Sequence, residues 1–420
     1  MKKSFIVLLI LSGLCNAQNN LDYYINAALK NSPAIKEYEN SKSLSDLERK
    51  LINAENVLPQ ISLTANYRFN PYFNNNGKLI SSDPRPEAIG YDVAITDGGL
   101  YSAQFNIEKN IFNGGLVGAL EEQQDVAVKS QNNKIQFEEH NIRKDVTEQY
   151  LAALQSQLNY SFASEILNNI KDQLKILGGL VQQGLAKQSD YLLLKVEEGN
   201  QSIELNSTLS EFKNNLLSLY SICGITDTQS VSLEKISLKI DPSKYGSNFY
   251  SKYEVDSLSN SAQQKLFETK YLPQVKVFFN TGLNAVELKG IQRKFGLSAG
   301  VDFSLPIYDG SQRDITRQQN EINQKTISDY RNYFSVQRQN MRAGFLGKIK
   351  SIDENMKKLA GQIKDYETIL NMKKKELDNG QISMVEYLTI LKSYIEMKKN
   401  LIGMEVDYQT QINNYNYWNW

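Results

Sequence analysis

Two acidic side chains hold equivalent places in this chain. Asp190 follows Gly184 by six residues, in the run Asp190-Tyr191-Leu192, and Glu386 follows Gly380 by six, in Glu386-Tyr387-Leu388. Carboxylates gathered around one axis repel each other and favour cations at an opening. An acid in the first turn of a helix is equally suited to complement the macrodipole, with Ser189 or Ser383 as a cap. The glycines suit tight turns, because they reach positive φ without strain. Little else in the chain is reactive. A single histidine, His140, and two cysteines, Cys15 and Cys223, exclude most metal sites and catalytic triads. His140 stands among Glu138, Glu139 and Arg143 and reads as part of a solvated face. Cys223 continues an apolar seam and reads as a small buried hydrophobe. There is no nucleophile beside a base, no pair of acids placed for a cleft and no phosphate-binding glycine loop. The chain is therefore expected not to be an enzyme and to need no cofactor and no metal.

The elements that must position the two acids come in two copies. Leu58-Pro59-Gln60 returns as Leu272-Pro273-Gln274, and Ile111-Phe112-Asn113-Gly114 returns as Ile307-Tyr308-Asp309-Gly310. Gly184 and Gly380 are 196 residues apart, the same offset as Gly114 and Gly310. Glu37 to Leu51 also resembles Lys252 to Leu266. Four pairs in one order indicate a duplicated unit. The expected organisation is a signal peptide at 1–17, a first repeat at 18–225, a connector at 226–251 and a second repeat at 252–420.

Each 70-residue glycine-to-glycine interval is helical in pattern. Leu167, Ile170, Leu174, Leu177 and Val181 step by three and four, as do Ile349, Ile352, Met356, Leu359, Ile363, Tyr366 and Leu370. This is a heptad seam. Past each glycine a second seam begins: Leu205, Leu209, Phe212, Leu216 and Leu219 in the first copy, and Leu401, Tyr408, Ile412 and Tyr415 in the second. Each half thus predicts an antiparallel helical hairpin that turns at its glycine. A helix from Leu116 to Gln183 would be ~100 Å long. The return helix, Gln188 to Cys223, covers half of that, and a helix at Leu21 to Val57 can supply the rest. The matching pieces of the second half are Glu254 to Tyr271 and Ser383 to Tyr415.

Four segments alternate apolar and polar residues. Ile61, Leu63, Ala65, Tyr67 and Phe69 form one apolar face, and Tyr101, Ala103, Phe105, Ile107 and Ile111 another. Val275 to Leu283 and Leu297 to Leu305 supply the third and fourth. Their length and pattern fit strands of a membrane barrel, or half-buried strands of a soluble sheet. Asn70 to Gly99, rich in Asn, Gly and Pro, fits a long loop, and Glu287 to Arg293 a short one. Four strands cannot close a channel, for which ~8 are needed. Three copies would give twelve strands and twelve helical positions, although symmetry also admits two or four copies.

Composition narrows the setting. The chain has 420 residues, with 47 basic and 47 acidic side chains, a balance that argues against a nucleic-acid partner. Residues 1–17, with Lys2 and Lys3 before Phe5 to Leu11, read as a signal peptide cleaved after Cys15-Asn16-Ala17. Leu14 is bulky for lipidation at Cys15. Eight prolines permit very long helices. The expected product is exported: periplasmic, secreted, or inserted in an outer membrane as strands.

With these motifs assembled, the sequence resembles the TolC-like outer-membrane factors. The resemblance rests on Asn31-Ser32-Pro33, the two Leu-Pro-Gln turns, Phe112-Asn113-Gly114-Gly115, Pro306-Ile307-Tyr308-Asp309-Gly310 and the glycine turns. It implies an α+β membrane protein: four transmembrane strands and long antiparallel coiled-coil helices per protomer, closing as a homotrimer with a 12-strand β-barrel and a 12-helix α-barrel. It implies an outer-membrane exit channel of a tripartite efflux pump or type I secretion system, set in outer-membrane lipid with its helices in the periplasm. Its partners would be a periplasmic adaptor and, indirectly or by contact at the tip, an inner-membrane transporter. Asp190 and Glu386 match acidic positions of the family's pore constriction. Gly184, Leu185, Ala186, Gly380, Gln381 and Ile382 match the tip that meets the adaptor. Thr389, Ile382 and Leu377 stand where the family has a second acid, a gate arginine and a gate tyrosine, so an arginine latch is not expected. The competing reading is a periplasmic coiled-coil adaptor or scaffold with no channel, whose strands would be buried in a soluble β-domain.

Overall fold

The computed structural model describes residues 20–82, 85, 87–92, 99–227, 229, 231–242, 246–379 and 381–420. Residues 1–19, which include the expected signal peptide and Cys15, part of the expected 70–99 loop, and Gly380 lie outside the described residues. The chain is mostly helical. Its elements run α1 (Leu21–Asn31), α2 (Pro33–Asn56), β1 (Gln60–Phe69), β2 (Tyr72–Asn75), β3 (Lys78–Ser81), β4 (Gly99–Phe112), α3 (Leu116–Gln182), α4 (Gln188–Cys223), α5 (Ser251–Glu268), β5 (Gln274–Ala285), β6 (Phe295–Ser304), α6 (Gln312–Asp378) and α7 (Met384–Trp418). The long helices α3 and α6 have 67 residues each, ~100 Å at 1.5 Å per residue. Both begin and end 196 residues apart, as α4 and α7 begin.

The helix expected over Leu21 to Val57 is two helices. Ser32 leaves the helical region at φ −55°, ψ 119°, because Pro33 crowds the residue before it. Pro33 then opens α2 at the position where its missing N–H costs nothing, and the Ser32 hydroxyl accepts from the Ile35 N–H at 3.3 Å.

By contacts the chain divides into two compact units, and each draws on both halves of the sequence. One unit comprises Glu39–Asn132 and Lys252–Tyr330. It holds an antiparallel sheet in the order β1-β4-β5-β6. The register brings like with like: Ile61 faces Ile107, Leu63 faces Phe105 and Tyr67 faces Tyr101, while Ser62 faces Asn106 and Thr64 faces Gln104. The alternation therefore separates an apolar from a polar face across strands as well as along them. It is interrupted where Lys109 faces Val277 and Glu108 faces Phe278. The register then shifts between Asn110 and Phe112, a bulge that leaves Ile111 without a facing residue and brings Phe112 opposite Val275. Within the 70–99 segment, β2 and β3 form a small hairpin that the sequence reading did not foresee. Its turn residues Asn76 and Gly77 both have positive φ, 49° and 78°, as a two-residue hairpin turn requires.

The glycine motif before α3 has a packing reason. Gly114 has φ +61°, and a Cβ there would lie 2.6 Å from the Leu272 Cβ of the second Leu-Pro-Gln motif. The two motifs thus meet at a close approach that only glycine permits. On the other side, Asp309 accepts from the Tyr271 hydroxyl at 2.6 Å and the Arg313 N–H at 2.8 Å, fixing the entry to α6. Glu268 binds both Arg313 (2.6 Å) and Arg317 (2.7 Å), and these bonds, led by the one from Arg317, hold its carboxyl down to about 2.

The other unit comprises Met1–Tyr38, Asn133–Ser251 and Arg331–Trp420. Its larger core joins Tyr24 and Ala28 of α1, Tyr150 and Leu154 of α3, and Leu216, Leu219 and Cys223 of α4. Cys223 is buried, as expected, and burial pushes its thiol up to about 12. The connector has no helix or strand over its described residues 231–242. Side chains satisfy its backbone instead: Gln157 bonds both the N–H and the carbonyl of Leu233 at 2.7 and 3.0 Å, and Tyr150 donates to the Glu234 carbonyl at 2.8 Å. A second core joins the hairpins through Phe162, Ile166 and Ile170 of α3, Leu194 of α4, and Tyr387, Leu391 and Ile395 of α7.

His140 departs from its expected solvated setting. Its ring is sandwiched between Tyr417 (4.6 Å, 9°) and Trp420 (4.2 Å, 12°), and its Nε2 is 2.9 Å from the Tyr417 carbonyl oxygen. The aromatic C-terminal run, which carried no role in the sequence reading, supplies this packing.

Candidate functional site

The site is built where the hairpins turn. α3 ends in a Schellman motif: the Leu185 N–H reaches the Leu180 carbonyl at 2.9 Å and the Gly184 N–H the Val181 carbonyl at 3.0 Å. Gly184 takes φ +73°. At the second turn the Gln381 N–H makes the same long bond, to the Glu376 carbonyl at 2.8 Å.

Between the two turns lies a cavity of 820 Å³. Leu177, Leu180, Leu185, Ala186, Asp190 and Leu194 line one side, and Leu377, Gln381, Ile382, Met384 and Glu386 the other. Six of the named site residues, Leu185, Ala186, Asp190, Gln381, Ile382 and Glu386, border this one cavity. Gly184 is in the first turn but does not line the cavity, and Gly380 is outside the described residues. The lining combines apolar side chains with charged ones, Lys187 and Lys374 as well as the two acids.

The two acids differ in surroundings. Ser383 caps α7, its hydroxyl accepting from the Glu386 N–H at 3.2 Å, so one expected cap is present. Ser189 is not the cap of α4; that position is Lys187, which makes no side-chain cap bond. Glu386 is also held by Lys373, whose Nζ is 3.0 Å from Glu386 and 2.9 Å from Glu376. These partners, Glu376 first, raise the Lys373 pKa. The sequence reading missed Lys373, although its place in the Lys373-Lys374-Lys375 run before the turn was visible. Leu377 and Ile382 pack against the second core, and Thr389 donates to the Val385 carbonyl of its own helix at 2.8 Å. Apolar packing thus stands where the resemblance would put an arginine and a tyrosine.

Among the described residues, no group of three or more His, Cys, Asp or Glu side chains could hold a metal ion. No helix among them is long and apolar enough to cross a membrane. The sheet is different. Large apolar side chains of β1 and β6 lie exposed, among them Leu63, Tyr67, Leu297 and Phe303. Among the described residues each of these two strands pairs on one side only.

No family model and no curated protein matches the sequence. Solved structures do match. The Campylobacter jejuni CmeC outer membrane channel aligns with a TM-score of 0.70 at 15% identity, covering 95% of this chain and 85% of that one. The outer membrane protein VceC of Vibrio cholerae aligns at 0.68 and 14% identity, covering 95% of both chains. The open state of the Neisseria gonorrhoeae MtrE outer membrane channel aligns at 0.67 and 10% identity, covering 95% and 88%. Over almost its whole length, this chain has the TolC-like fold of outer-membrane channels.

Proposed function

We propose that the chain is a passive outer-membrane exit channel, working as a homotrimer in a tripartite efflux pump or type I secretion system. The observation that carries this reading is the sheet. Its apolar cross-strand pairs are exposed, and its edge strands β1 and β6 each have an unpaired side among the described residues. Open edges are not tolerated in lipid, and three such sheets joined edge to edge make a closed barrel of twelve strands. A scaffold with a soluble β-domain would bury that face, so the sheet disfavours the adaptor reading. The equal lengths and constant offset of α3 and α6 support two repeats, 18–225 and 252–420, joined by 226–251.

In this reading the helices form a periplasmic tunnel and the apolar face of the sheet meets lipid. Residues 1–17 direct export. Asp190 and Glu386 form the constriction, and Gly184, Leu185, Ala186, Gly380, Gln381 and Ile382 receive a periplasmic adaptor. Energy comes from an inner-membrane transporter, and the duct itself performs no chemistry.

The test is conductance of the detergent-purified protein in planar bilayers, against Asp190→Asn/Glu386→Gln. Cation-selective channels that lose selectivity in the variant support the duct and the acidic entrance. Channels indifferent to the substitutions demote the acids to helix-terminal charges. A protein that is soluble in buffer and never inserts refutes the reading.

A further inference from the structure

We propose that Glu197 and Lys392, with Glu204 and Lys399, are positioning residues that clasp the two hairpins of one protomer and set the width of the cavity between their turns. The functional weight of this clasp rests on the reading of that cavity as a partner's seat; its existence does not.

α4 and α7 both begin at a turn and lead away from it, so they run parallel. Lys392 Nζ lies 3.1 Å from Glu197 Oε2, and Lys399 Nζ lies 2.5 Å from Glu204 Oε1. The rungs are seven residues apart on both helices, the spacing at which a supercoiled pair returns the same face to its partner. An axial slip or a change in crossing angle therefore strains both rungs together. Glu197 is only 3% exposed. Its second oxygen, Oε1, accepts from Gln201 Nε2 at 3.0 Å, so the buried carboxylate is satisfied at both ends.

α4 carries more acids than the clasp uses. Asp190, Glu197, Glu204 and Glu211 form a ladder at seven-residue steps, whereas the corresponding steps of α7 read Val385, Lys392, Lys399 and Val406. A slide of one heptad, ~10 Å along the axis, would again offer each lysine an acid. It would also withdraw Leu194 from Leu391 and Ile395 in the second core. The apolar core thus selects the heptad, and the ion pairs fix the position within it. Glu197 lies one helical turn from Leu194, which lines the cavity, so the clasp acts on the cavity wall directly.

The two partners are unequal. Lys392 is 60% exposed at its side chain and Glu197 4%. Without Glu197 the lysine returns to water; without Lys392 a buried carboxylate loses its counter-charge, the costlier loss. This asymmetry defines the experiment. Amide hydrogen exchange is followed in the detergent-purified full chain for wild type, Lys392→Met, Glu197→Gln, the double variant and Lys392→Arg.

Lys392→Met is expected to speed exchange roughly tenfold in the segments around Leu185–Leu194 and Met384–Leu391, with Val146–Leu154 unchanged. Adding Glu197→Gln should return the rate to within about threefold of wild type, and Lys392→Arg should stay there throughout. Additive effects, or no acceleration in Lys392→Met, overturn the clasp. Conductance of the same samples separates the two readings. Rescue by the double variant in a protein that forms no channel keeps the clasp and removes the duct. Channels without rescue do the reverse.

Discussion

Replacing Gly114 by alanine should damage the junction between sheet and helix far more than the same change next door. Gly114 and Gly115 both take left-handed backbone, φ +61° and +79°. Forcing an alanine into that region costs ~1–2 kcal/mol at either position. At Gly115 a Cβ would meet nothing within 4 Å. At Gly114 it would lie 2.6 Å from the Leu272 Cβ, 3.2 Å from the Thr269 carbonyl oxygen and 3.3 Å from that of Pro273. None of these is the end of a flexible side chain, so backbone must shift, at a further ~1–3 kcal/mol. Gly114→Ala should therefore lose about 2–5 kcal/mol and Gly115→Ala about 1–2 kcal/mol. Denaturant unfolding of the purified variants in detergent gives the difference. Equal losses within about 0.5 kcal/mol would mean that the Phe112-Asn113-Gly114-Gly115 and Leu272-Pro273 motifs do not depend on their close approach.

Three further outcomes follow from the same geometry. Lys373→Met should leave Glu386 without its cation and make channels more cation-selective; unchanged or reduced selectivity would remove Glu386 from the entrance. Glu268 has a folded-state pKa depressed from 4.5 to about 2, so its contribution is present above its unfolded pKa and is lost as pH falls through about 2. Between about pH 4.5 and 2, wild type should therefore lose more stability than Glu268→Gln, and parallel pH profiles would deny the Arg313–Glu268–Arg317 link its role. Cys223, buried and pushed up to about 12, should resist alkylation at pH 8 in the folded protein and react on unfolding. Rapid labelling of the native protein would contradict the packing of α1 on α4.

Much of this architecture was legible because the two halves carry similar signals at one spacing. The 196-residue offset placed both turns, and the return helix was read at its observed limits, Gln188–Cys223. Strand alternation was equally legible, since side chains of a strand alternate whatever surrounds them. Two local features were visible but not used: Pro33 as the break between α1 and α2, and Asn76-Gly77 as a hairpin turn. The rest depends on partners distant in sequence. His140 meets the Tyr417 carbonyl 277 residues away, so its neighbours on α3 said nothing of its stacking. Glu197 has a polar, ordinary helical context, and only α7 reveals why it is buried. At the turns, the six side chains named from the resemblance border one cavity, but Lys373 and the Glu197–Lys392 pair required the packed hairpins.

Cross-linking between copies tests the central claim most directly. In a Cys223→Ser background, Leu63→Cys on β1 is paired in turn with Phe295→Cys, Leu297→Cys, Ala299→Cys, Val301→Cys and Phe303→Cys on β6, and oxidised in outer-membrane fractions. Within one protomer β1 and β6 are separated by β4 and β5. Edge-to-edge closure by three copies predicts a covalent trimer for the pair in register, and no larger species. Only monomers across the whole series, in a protein recovered without detergent, would contradict the account.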